Sequence, residues 1–207
     1  MGISTYSDLV AEFNLEIART ETSRIDGLIA QVEADLNNNK YFRISDMQVE
    51  DTLSTSAGIS TVAMPADTLT ADELFLDTSP SAIEFMPENL MAVRFDPSYV
   101  ARPSFYCFLG TKNIKFAATP DAAYSFTFRY KQKIPNLSSG SPTNWLLTKN
   151  PNIYLHGCAY YFSVKIKDYD QMNVYKGLYS QAVQATIDAD ESITIPDTAL
   201  AMYTVDR

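Results

Sequence analysis

Apolar residues recur at helical spacing towards both ends of the chain and at strand spacing in its middle. Near the start, Tyr6, Leu9, Val10, Phe13 and Ile17 share one face, behind Thr5 as a cap with Asp8 three residues on. A second stripe, Ile25, Leu28, Ile29, Val32 and Leu36, begins near Ser23 and is closed by Asn37-Asn38-Asn39. Each stripe is narrow, which predicts helices that pack on one side and are wet elsewhere. From Tyr41 onwards the pattern changes to short runs, 41–49, 59–64, 74–77, 83–86, 104–109, 113–118 and 124–131, broken by Gly, Pro, Ser and Asp. Residues 87–92 read as one short helix. In the last run Tyr124, Phe126, Phe128 and Tyr130 alternate with Ser125, Thr127 and Arg129, the signature of a half-buried antiparallel strand with an aromatic inner face.

Residues 135–143 are rich in Ser, Pro and Gly and read as a linker. Helices then return. Asn150 can cap and Pro151 suits a first turn, where its missing N–H costs little. Residues 153–166 are apolar almost all round, which predicts a buried central helix. After Asp168-Tyr169-Asp170 a last helix is expected through about Ile187, with Met172, Tyr175, Tyr179, Val183 and Ile187 on one face. Residues 188–207 contain Pro196 and no strong period, as in an extended arm. The predicted fold class is α+β, a four-helix bundle formed by both chain ends with an inserted antiparallel β lobe and an extended C-terminal arm. The boundaries are 1–39 and 145–187 for the bundle, 40–144 for the insert and 188–207 for the arm.

An apolar fraction of 46% in 207 residues is enough for a sizeable core. The start of the chain has neither a basic nor an apolar leader region, no run approaches the roughly 20 apolar residues of a membrane helix, and Cys107 and Cys158 sit in apolar runs as buried free thiols. These features lead us to expect a protein made and folded in the cytoplasm. Net charge is −9, distributed as −5 over 1–39, −2 over 40–144, +2 over 145–187 and −4 over 188–207. Arg129, Lys131 and Lys133 alternate on a strand and read as a charged, solvated strand edge, not a phosphate-binding face.

Catalytic candidates are few. The single histidine, His156, lies two residues from Cys158, and on a helix such positions face apart, so a Cys–His nucleophile and base is disfavoured. One histidine and two remote cysteines offer no zinc spacing, and no Gly-rich phosphate loop occurs. Glu50/Asp51, Asp72/Glu73 and Asp190/Glu191 are adjacent acids and Glu12/Glu16 share a helix face, but all lie in polar stretches without the apolar setting that a glycosidase acid needs. No catalytic residue, metal site or cofactor is expected. Tyr154, Tyr160, Tyr161, Tyr169, Tyr175 and Tyr179 crowd the C-terminal helices. Core packing explains Tyr160 and Tyr161, and the surplus suggests surfaces buried only when subunits meet. Trp145, the only tryptophan, follows the linker and with Asn144, Leu146 and Leu147 is expected to anchor the exit of the β lobe against the helices.

The run Asn136-Leu137-Ser138, Thr143-Asn144-Trp145-Leu146-Leu147-Thr148, Asn150-Pro151, Ile153-Tyr154-Leu155 and Gly157 resembles the C-terminal signature of bacteriophage head-to-tail adaptors related to tail tubular protein A of short-tailed phages. Upstream, 62–67 and 114–120 look like the punctuation of that family's β insert, and Phe128-Arg129-Tyr130 looks like one of its strand ends. The sequence has Ala101-Arg102-Pro103 where the family usually has a Gly-rich turn. The likeness covers about residues 60–187. It implies a structural virion protein at the head–tail junction, a ring of usually twelve copies that binds the portal protein and the tail nozzle or tube and lets genomic DNA pass as cargo. It also implies that the arm, with Ile193, Ile195, Pro196, Leu200, Met202 and Tyr203, orders against the portal. Two rival readings are a virion-associated cell-wall hydrolase on the same scaffold and an oligomeric binding module outside phages.

Overall fold

The structure, a computed structural model, describes residues 2–21, 23–77, 83–96, 98–110 and 112–194. By its contacts the chain divides into two compact units, one of residues 1–46 with 134–207 and one of residues 47–133.

The first unit is the helical bundle. Helix α1 (Tyr6–Glu16) starts at Thr5 with a full capping box, in which the Thr5 side chain takes the Asp8 N–H and the Asp8 carboxylate takes the Thr5 N–H. Helix α2 (Ile25–Asn38) buries Ile25, Leu28, Ile29, Val32 and Leu36, as the stripe predicts, and also Glu33. Its last carbonyls are held by the Arg43 guanidinium, which donates to the carbonyls of Asn37, Asn39 and Phe42. A short helix α4 (Trp145–Lys149) leads into α5 (Pro151–Ile166), with Pro151 in the first turn. Asn150 precedes it without making a side-chain cap. Helix α5 is the central element, packed by α1, α2, α4 and α6 (Tyr169–Thr194). It is not apolar-buried all round, because Val164 is 42% exposed and Leu155, Tyr160 and Tyr161 are half-buried. It stops at Lys167, whose left-handed φ of 61° turns the chain into α6.

Helix α6 runs past the expected end at Ile187. Residues 183, 186, 187 and 190 continue its half-buried stripe, and the Asp190 carboxylate accepts the backbone N–H of Ser45. The acids there hid the helical period. The start of the expected arm is therefore helix. Ile193 falls in the last turn, while Ile195, Pro196, Leu200, Met202 and Tyr203 lie outside the described residues.

The second unit is a β lobe of two small sheets. One has the order β1 (Gln48–Ser54), β7 (Ser125–Gln132), β3 (Thr68–Leu76), all antiparallel, and the other the order β2 (Thr61–Ala63), β6 (Asn113–Phe116), β5 (Phe105–Leu109), β4 (Glu84–Phe85). The insert is antiparallel as expected except at β4, which pairs with β5 in parallel. Inner residues Leu74, Leu76, Tyr106, Ile114, Phe116, Phe126, Phe128 and Tyr130 form one core between the sheets. In it Phe116 stacks on Phe126 at 5.1 Å and Phe128 on Tyr130 at 5.1 Å. Strand β5 is covered on both sides, since Cys107 packs with Met86, which follows β4, and with Met91 of the adjoining helix α3 (Glu88–Arg94). That explains its continuous apolar run.

Three strand expectations change, the first being the run expected at 74–77, which is a strand that already begins at Thr68. Residues 41–47 are not a strand; the strand begins at Gln48, where polar side chains on an edge position masked it. Arg129 and Lys131 do not mark an edge, because β7 is the central strand of its sheet. They lie on its polar outer face, where Arg129 bridges Glu50 at 2.7 Å and Glu73 at 3.2 Å.

The crossing of α2, α5 and α6 depends on Gly157. A Cβ there would lie 2.7 Å from Val32 Cγ2 and 3.1 Å from Tyr179 Cε2. Val32 is β-branched and cannot swing aside. Gly157→Ala is expected to lower stability by about 1–2 kcal/mol, overpacking outweighing the better helix propensity of alanine. Chemical denaturation checks this, and Val32→Ala in the same chain should recover part of the loss. A Gly157→Ala protein as stable as the parent would refute close packing at this point.

Candidate functional site

The residues that carry the family likeness meet in one buried junction of the helical unit. Asn144 is the N-cap of α4, its Oδ1 accepting the Leu147 N–H at 2.8 Å. Its Nδ2 donates to the Pro135 carbonyl at 2.7 Å and to the Tyr154 hydroxyl at 2.8 Å. Tyr154 in turn donates to Glu33 Oε1 at 3.0 Å, which also takes the Leu137 N–H at 2.8 Å. Tyr154 is fully buried, and Glu33 and Asn144 are nearly so. Burial pushes the Glu33 carboxyl above its ordinary range, against the pull of the Leu137 N–H and the Tyr154 hydroxyl. Burial beside that carboxyl also raises Tyr154, so its phenol stays protonated and donating.

Residues 135–143 are consequently not a free linker. The Ile134 N–H donates to Asn37 Oδ1 at 3.1 Å, Pro135 and Leu137 are held as above, and the Pro142 carbonyl accepts the Tyr6 N–H at 2.7 Å. Leu137 is buried, and Ser138 and Ser141 bridge a tight turn. Of the four expected anchor residues, Leu146 and Leu147 are buried, Asn144 is the hub of the hydrogen bonds and Trp145 is half-buried. Sequence reasoning put the weight on Trp145 and missed Glu33. A signal was present, because Glu33 falls four residues after Ile29 and three before Leu36, on the apolar stripe.

The other candidate groups are dispersed. Cys158 is fully buried, and burial raises its thiol, which disfavours the reactive thiolate. His156 is half-buried; burial lowers its pKa against the pull of Glu16, and its Nδ1 has no hydrogen-bond partner among the described residues. Glu50 and Glu73 are tied to Arg129, and Asp190 to Ser45. Asp72 is exposed, with its carboxyl raised chiefly by desolvation. Among the described residues no group of three or more His, Cys, Asp or Glu side chains could hold a metal ion, and no helix is long and apolar enough to cross a membrane.

The tyrosine surplus is mostly spent inside the chain. Tyr179 donates to Asp35 at 2.8 Å and Tyr175 to Glu16 at 3.1 Å, and of the six C-terminal tyrosines Tyr169 alone is exposed. Exposed apolar residues occur on both units, Leu15, Tyr41 and Val174 on the helical unit and Ile59, Phe85, Leu90, Val93, Tyr99 and Val100 on the β lobe.

Residues 4–200 match the SU10 adaptor protein family. The chain belongs to that family. It is a structural head-to-tail adaptor of a phage virion, the class to which the signature through Asn144, Tyr154 and Gly157 points. No curated protein matches the adaptor. Its shared signature thus corresponds to a physical object, in which one asparagine, one tyrosine and one glycine set the local packing of the bundle.

The Glu33 carboxyl gives this junction a pH dependence. Because its folded pKa is raised above the ordinary 4.5, its contribution to stability is complete below pH 4.5 and is lost as pH rises through the folded value. Glu33→Gln keeps an acceptor for Leu137 and Tyr154 without the charge, and so should gain on the parent as pH rises from 4.5 towards 7. Glu33→Ala strands both donors and should cost about 1–3 kcal/mol for each at any pH. Melting curves across that range decide; a Glu33→Gln protein that tracks the parent at every pH would rule out the buried carboxylate as the cause.

Proposed function

We propose that copies of the adaptor form a ring, twelve in number as the resemblance implies, seated between the portal protein and the tail nozzle or tube. Genomic DNA passes through it unprocessed. The family match over residues 4–200 is the observation that carries this reading. Charge supports the conduit role, since twelve copies at −9 each would carry roughly −108, a field that repels DNA. The exposed apolar residues of the β lobe support contacts with other chains. In this reading the junction at Asn144, Trp145, Leu146 and Leu147 fixes how the chain returns from the β lobe, and the segment with Ile193, Ile195, Pro196, Leu200, Met202 and Tyr203 reaches the portal.

We further propose that the adaptor catalyses nothing, which sets aside the cell-wall hydrolase reading. The buried Cys158 thiol and the dispersed acids support this. A nonsense mutation in the gene should yield filled heads without tails by electron microscopy, and His156→Asn particles should infect normally. Normal tails in the absence of the chain would overturn the adaptor ring. Cell-wall clearing by the purified chain in a zymogram would overturn the non-catalytic reading.

A further inference from the structure

Two uncovered surfaces of the adaptor differ in character. On the β lobe, α3 turns Met91 towards the sheet and leaves Leu90 and Val93 outside, 40% and 84% exposed. The loop that follows adds Tyr99 and Val100, 53% and 57% exposed. Arg94 and Arg102 stand exposed among them, and neither pairs with a carboxylate among the described residues. Of the nearby acids, Glu88 bridges Lys115 at 3.2 Å, and Asp96, which accepts from Ser98 at 2.7 Å, keeps its charge. This surface is apolar, with two arginines set against the one carboxylate of Asp96.

In the helical unit a groove of about 300 Å³ runs between the end of α2 and α6, with Leu36, Tyr41, Val183 and Ile187 in its lining. Its one charged lining residue is Asp35. Tyr41 stands 71% exposed at its side. The groove sets Leu36, Val183 and Ile187 among the polar side chains of Asn39, Ser180 and Gln184, is anionic through Asp35, which also accepts the Tyr179 hydroxyl, and is large enough to take side chains of the size of Val93 or Leu90.

We infer that the Leu90–Arg102 surface of one copy seats in the Asp35 groove of the next. This rests on the ring reading and names the contact that would build it. Charge selects the pairing. The cationic surface set against its own copy would bring Arg94 and Arg102 against like charges, whereas the groove offers a carboxylate beside an apolar floor. Symmetry agrees, because a contact between two different patches repeats from copy to copy until rotation closes it, while a patch that pairs with itself stops at two.

Single cysteines at exposed positions test this without stressing the fold, since the native Cys107 and Cys158 are buried. Val93→Cys marks the surface and Ser180→Cys the groove, and Tyr99→Cys with Ser180→Cys supplies a second pair. Assembled particles are treated with a short bismaleimide and the adaptor is resolved by size. The expected result for the double variants is a ladder of multimers, absent from each single variant and lost when Arg94→Glu and Arg102→Glu are added. Dimers from a single variant, a bridge confined within one chain, or no bridge at all in both pairs would overturn the pairing. A lysine-reactive cross-linker on unaltered particles separates the two levels of the idea. A ladder there with none from the cysteine pairs sinks the surface assignment alone, and no ladder there sinks the ring as well.

Discussion

A carboxylate held in an apolar interior fixes where the chain re-enters the helical unit. Glu33 sits among the core residues of α2, a position where an unmatched charge would be costly. Its oxygen is matched by two donors that come from far along the sequence, the Leu137 N–H and the Tyr154 hydroxyl. Neither donor can shift by one residue without leaving a buried polar group unpaired. Apolar packing alone would tolerate slippage of residues 134–144 along α2. The hydrogen bonds do not, because they are directional and their loss is not replaced by water in this interior. Asn144 extends the same constraint by capping α4 with one end of its amide while the other end binds Pro135 and Tyr154.

This constraint also explains what could and could not be read from the sequence. Helices α1 and α2 and the aromatic face of β7 were legible because their burial is one-sided and periodic, and α5 because it is apolar almost all round, so side-chain polarity reports both directly. Residues 135–143 were misread as a linker because their composition is that of a loop, and what pins them is backbone N–H and C=O groups that composition does not display. The last turns of α6 were missed for a related reason. Asp190 occupies a stripe position and satisfies itself on the Ser45 backbone, so a polar residue stands where periodicity wants an apolar one. Glu33 is the same case inside α2. In the last two cases a polar side chain on a packed helix face was bound to main chain, and only three-dimensional structure supplies the partner.

The site followed the same division. Asn144, Leu146 and Leu147 could be picked out as a group from the sequence because they carry the family likeness, yet the reason for the asparagine required Tyr154, ten residues on, and Glu33, more than a hundred residues back. Trp145 drew attention by rarity and is only half-buried. Rarity is a statistical cue, whereas the junction is held by the residues with the most geometrically demanding partners. The tyrosines show the converse. Their number suggested intermolecular surfaces, but Asp35 and Glu16 take the hydroxyls of Tyr179 and Tyr175 within the bundle, so the amphipathic side chain found its polar partner at home.

The two units consequently differ in how they meet solvent. In the helical unit the hydroxyls of Tyr6, Tyr175 and Tyr179 are bound to acids of the same chain, while Leu15, Tyr41, Tyr169 and Val174 stand exposed. In the β lobe the aromatic core is filled by both sheets and α3, and Leu90, Val93, Tyr99 and Val100 remain largely exposed outside it. A lobe of fewer than a hundred residues has no energetic use for Val93 at 84% exposure on its own behalf. Exposed apolar side chains add nothing to the stability of the free chain and invite association, so their place beside arginines that pair with no carboxylate among the described residues makes sense when another chain covers them. For a protein whose family joins head to tail, internal specification lies in the bundle, where Glu33 and Asn144 fix the chain path.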